Sequence, residues 1–75
     1  MYLRKGEEAV IKAFSSENRQ LHRLREMGMS AGTSLRIIRF APLGDPIAIK
    51  LRGFQLSVPK SLAELILVEK KIKSD

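Results

Sequence analysis

The chain has 75 residues, no cysteine, and 14 Lys and Arg against 8 Asp and Glu, for a formal net charge of +6. That length is read as one domain, residues 1–75, burying roughly 60 to 65% of the surface its unfolded chain exposes. Without cysteine there are no disulfides and no thiolate metal sites, and no apolar run approaches the ~20 residues of a membrane-spanning helix.

Residues 1–14 lack the apolar core of a signal peptide, so a soluble, cytoplasmic protein is expected. The positive charge suits nucleic acid, an acidic membrane surface or an acidic protein, and charge alone does not choose among them.

"GEEAVIKAF" mixes β-branched and aromatic residues with charges, which predicts a strand over Glu8–Phe14. In "SSENRQLHRLREMGMS" the period changes to that of a short helix. Ser15 and Ser16 are the expected N-caps, with Glu17 in the first turn, and Leu21 and Leu24 form a narrow apolar stripe. "LREMGM" reads as a stop: Gly28 takes a left-handed C′ position, and Met29 then contacts Leu24, as in a Schellman ending. Core packing accounts for Met27 and Met29 better than metal ligation does.

"SAGTS", residues 30–34, is a turn before a strand over 35–41. In "APLGDP" Pro42 presets φ for a turn and Gly44 takes positive φ. Pro46 then pushes Asp45 toward extended geometry and launches the next strand. The result is a stiff loop with Leu43 at its tip as an exposed apolar knob. "IAIKLRG" alternates Ile47, Ile49 and Leu51 against Ala48, Lys50 and Arg52, Gly53 supplies a hairpin turn, and "FQLSV" is the return strand. Pro59 opens a helical turn, a last strand runs over about 65–69, and residues 70–75 are expected to fray. About five short strands, one helix after the first and a helical turn before the last predict a small closed or nearly closed β-barrel.

Taken together, "EMGM" at Glu26–Met29, Gly32, "APLGDP" at Ala41–Pro46 and "RGFQLSV" at Arg52–Val58 resemble the FeoA family, small cytosolic accessory proteins of bacterial ferrous iron uptake. The resemblance covers about Gly6 to Glu69 and departs at "PKSLAEL", Pro59–Leu65, where members often carry a basic then an acidic stretch. It implies an SH3-like barrel that works beside a FeoB-type membrane transporter with a cytosolic GTPase domain. It also implies kinship with the C-terminal module of diphtheria-toxin-type iron-dependent repressors. No helix-turn-helix precedes the domain in these residues, so a repressor is not expected.

His22 is the sole imidazole and has no evident catalytic partner in sequence, so neither an enzyme nor a cofactor or protein-only metal site is expected. Arg36, Arg39 and Arg52 are read as solvated strand residues rather than as groups inserted into a GTPase. Arg19, His22, Arg23 and Arg25 make the helix basic, suited to an acidic partner surface. The expected partner-binding residues are Met27, Met29, Pro42, Leu43, Gly44, Asp45 and Pro46, at the helix end and in the loop; an exposed apolar loop also permits self-association. The alternative is a basic barrel that binds RNA, against which Phe40 and Phe54 are expected in the core, leaving a poor stacking surface.

Overall fold

The computed structural model describes residues 1–71. Its elements run β1 (Glu8–Phe14), α1 (Arg19–Glu26), β2 (Ser34–Phe40), β3 (Ile47–Leu51), β4 (Phe54–Val58), α2 (Lys60–Ala63) and β5 (Ile66–Lys70). The strands pair antiparallel in the order β4-β3-β2-β1-β5. The ladder is therefore not closed: β4 and β5 are its two edges, and residues 59–65, with α2, carry the chain from one edge to the other.

The alternation expected of β3 decides how the sheet faces its core. Ile47, Ile49 and Leu51 are buried while Lys50 is exposed, and Ile49 stands between Ile37 and Leu56 in the register. Ile11, Ile37, Ile49 and Ile66 from the strands meet Leu21 and Met29 from the helical segment in one apolar cluster. Burying such side chains is worth roughly 1.5–3 kcal/mol each.

Helix α1 starts later than the serines suggest. Asn18, extended at φ −154°, is the N-cap, and its side-chain oxygen accepts the Leu21 N–H at 2.8 Å. Ser15 is committed elsewhere, since its N–H donates to the Leu65 carbonyl at 2.8 Å and its hydroxyl to the same oxygen at 3.2 Å. Glu17 consequently precedes the helix.

The helix stop is as expected. Gly28 has φ +116°, the Met29 N–H donates to Leu24 O at 3.0 Å, and the Gly28 N–H donates to Arg25 O at 3.1 Å. These are the two bonds of a Schellman ending. At the chain's far end β5 reaches further than expected: Lys70 is its last residue and the Lys71 N–H donates to Glu8 O at 2.9 Å. Of the segment 70–75 expected to fray, residues 72–75 lie outside the described residues.

Candidate functional site

The loop between β2 and β3 is built by proline and glycine and then tied down by three hydrogen bonds. Pro42 occupies the second position of a turn whose Gly44 N–H donates to Ala41 O at 2.7 Å, with Gly44 at φ +86°. The Ala41 N–H closes the loop onto Pro46 O at 3.0 Å. The Asp45–Pro46 peptide is cis. From Asp45 the side chain reaches across to α2, where Oδ1 accepts the Lys60 N–H at 3.0 Å.

That last bond supplies something α2 lacks. Its N-cap is Pro59, which offers no side-chain acceptor, and the first N–H groups of a helix need acceptors from outside it. Asp45 provides one from 15 residues away, so it acts as a brace between loop and helix. Its side chain is thus engaged within the molecule. Leu43 is the opposite case, 96% exposed at the tip of a loop held on both sides. Beneath the loop, Arg39, Phe40, Pro42, Pro46, Ala48 and Ser57 line an open groove of about 370 Å³.

The helix end does not join this surface. Met29 is fully buried and belongs to the core, so its side chain is removed from any docking face; the Schellman geometry turns it inward toward Leu24. Met27 is 51% exposed, but it adjoins Gly28, where an added Cβ would stand 3.2 Å from Phe54 Cζ. That places the helix stop beside the β3–β4 hairpin, at the Leu51 end of β3. The proline loop precedes Ile47 at the other end, four residues along the strand, or about 13 Å. The sequence-predicted residues therefore fall into two separate regions.

Other expectations shift on contact with the structure. Phe40 and Phe54 are 40% and 39% exposed rather than core residues, each the terminal residue of its strand. Phe40 pairs with Ile47 and Phe54 with Leu51, so they stand on different strands at opposite ends of β3 and form no shared stacking platform. His22 has a carboxylate partner after all, Glu26 one helical turn on, at 2.8 Å on an exposed surface.

The basic groups also separate. Arg25 lies over the Phe14 ring at 5.1 Å and fastens α1 to β1, a contact worth about 0.5–1 kcal/mol. Arg36 is paired with Glu8, Arg39 lines the loop groove, and Arg52 occupies the hairpin turn, exposed. Lys70 and the Arg4 N–H both hold the Glu7 carboxylate, and its pKa lies below the usual 4.5, chiefly through the Lys70 contact. No group of three or more His, Cys, Asp or Glu placed to hold a metal ion occurs among the described residues, and no described helix is long and apolar enough to cross a membrane.

With the geometry in place, comparison with known proteins decides the family. Residues 2–70 match the FeoA domain family. The chain belongs to the FeoA family. Iron(II) transport protein A from Clostridium thermocellum is 35% identical with a TM-score of 0.84, covering 91% of this chain and 42% of its own. FeoA from Chlorobium tepidum is 33% identical with a TM-score of 0.88, covering 97% of this chain and 70% of its own. The manganese regulator SloR is 26% identical with a TM-score of 0.74, over 92% of this chain and 32% of its own. The fold is SH3-like, as in other FeoA proteins, and the expected kinship with metal-dependent regulators is present as well.

What sequence reasoning missed at the site is the side chain of Asp45. "PLGDP" accounts for the backbone turn, but its brace to Lys60 depends on α2 lying beside the loop, for which no local signal exists.

Proposed function

We propose that this FeoA-family chain is a non-enzymatic accessory protein of ferrous iron uptake that works in the cytoplasm by docking on the cytosolic part of a FeoB-type transporter. The observation that carries the reading is Leu43: an almost fully exposed leucine on a loop fixed by three hydrogen bonds. An apolar side chain held ready in this way loses little conformational freedom on docking and gains the burial of a leucine, roughly 1.5–3 kcal/mol. Family membership supports the pathway, and the groove formed with Phe40, Pro42 and Pro46 supports a protein surface as the occupant.

The docking surface proposed here is the loop, Pro42–Pro46, with Leu43 as its anchor and Asp45 as its brace. Titrating the isotope-labelled chain with the transporter's cytosolic GTPase domain and following backbone amide NMR shifts tests it. Saturable shifts centred on residues 41–46, lost in Leu43→Asp, are the expected result. An absence of shifts up to high-micromolar partner sinks direct binding to that soluble domain.

A further inference from the structure

The two edges of the sheet are not alike. β5 is defended against further pairing: Lys70 is paired with Glu7, Glu69 with Lys12 at 3.0 Å, and its register with β1 is broken by an irregularity between Ile11 and Ala13. β4, "FQLSV", has no charge, no proline and an unbroken register with β3. Among the described residues, Phe54–Val58 hydrogen-bond only within that ladder.

The hairpin fixes which groups stay open. Its turn holds two residues, Arg52 and Gly53, and Leu51 pairs with Phe54 across it. Antiparallel pairing alternates from there, so Phe54, Leu56 and Val58 bond to β3 while Gln55 and Ser57 turn their N–H and C=O groups outward. Exposure along the core face rises from buried Val58 through half-buried Leu56 to exposed Phe54. A strand laid alongside would cover both Leu56 and Phe54 with its own inward side chain.

Charge selects the occupant. Residues 46–63 contain no Asp or Glu but include Lys50, Arg52 and Lys60, with the Asp45 carboxylate bordering them at the Lys60 N–H. We propose that the β4 edge takes up an extended, acidic segment of a partner protein as a sixth strand, held by backbone hydrogen bonds to Gln55 and Ser57. A second copy of this chain fits poorly, because pairing β4 with β4 brings together two molecules of net charge +6, each with Lys50 and Arg52 at this hairpin. Ser57 also lines the groove beneath the loop whereas Gln55 does not, so Gln55→Pro tests the edge and Leu43→Asp the loop, and either proposal stands if the other fails.

The test uses the labelled full chain and a designed peptide, Glu-Glu-Val-Thr-Val-Thr-Val-Glu-Glu, with a counterpart in which lysines replace the glutamates. The acidic peptide is expected to give saturable amide shifts and slowed hydrogen exchange at Gln55 and Ser57, with affinity about tenfold or more above the lysine peptide. Gln55→Pro removes an outward N–H without breaking a β3 bond and is expected to weaken binding about tenfold while leaving the rest of the spectrum in place. Ser57→Pro makes the same test if Gln55→Pro does not fold. Equal affinity for the two peptides, binding undiminished in the folded proline variant, or no shift at millimolar peptide each overturns the proposal. Shifts in β4 that follow protein concentration alone overturn it in favour of a second copy.

Discussion

The two ends of β3 are both rigid, and they differ in what the rigidity leaves facing water. At the Leu51 end, Gly28 lets the helix stop come within contact of Phe54, Met29 is driven into the core, and Met27 and Phe54 stay partly covered at 51% and 39% exposed. At the Ile47 end, proline, glycine and the Asp45 brace fix a loop whose apolar tip remains outside. Stiffness therefore does not mark a docking site by itself. An almost fully exposed apolar side chain on a stiff support, as at Leu43, is the combination that favours docking, because nearly all of its burial is still available to a partner while little ordering cost remains.

Substitutions at the two ends should separate in kind. The largest effect is expected at Met29→Ala, which opens a cavity in the core and should lower stability by about 2–5 kcal/mol in denaturant unfolding; a loss under about 1 kcal/mol would contradict its buried role. Gly28→Val comes next, since a side chain at positive φ costs about 1–2 kcal/mol and its Cβ would crowd Phe54. A neutral Gly28→Val would refute the packing of helix stop against hairpin. Asp45→Ala removes an acceptor from the start of α2, and caps of this kind are worth about 1 kcal/mol. Amide exchange in that variant should quicken at both Lys60 and the loop, whereas an effect confined to one of them would show that the brace does not couple them.

Leu43→Asp sharpens the contrast from the other side. Stability should change by no more than about 0.5 kcal/mol, and binding to the transporter's cytosolic domain should disappear. Smallest of all is the acid response of Glu7, which lies away from both ends. Its folded pKa is below 4.5, so the stabilisation it provides is present above that value and is lost as pH falls through the folded pKa. Melting temperatures measured on either side of 4.5 should show Glu7→Gln less sensitive to acid than the parent chain, and identical acid slopes would dismiss the Lys70 contact as a source of stability.

Features that depend on neighbours in sequence were legible. Gly28 and Gly53 mark reversals whose sign of φ only glycine adopts readily, Pro42 marks a turn, and the Ile47–Ile49–Leu51 alternation marks a buried face. Where several local solutions compete, tertiary contacts chose: Ser15 is drawn to Leu65, which leaves Asn18 to cap α1. The exposure of Phe40 and Phe54 is not legible in sequence, because an apolar run does not say which of its members find cover in the folded chain. At the candidate site Leu43 followed from the turn, whereas the separation of Met27 from the loop needed the strand register, and the role of Asp45 needed the position of α2.

The hydrogen bond from Lys60 to Asp45 also links the loop to the segment that connects the two edges of the sheet. Residues 59–65 lead from β4 to β5, the two edges, and the bond fastens the start of that connection to the loop. The loop is thus joined to β2 and β3 through the chain and to the first turn of α2 through Asp45. One short loop therefore touches both the paired strands and the connection between the unpaired edges.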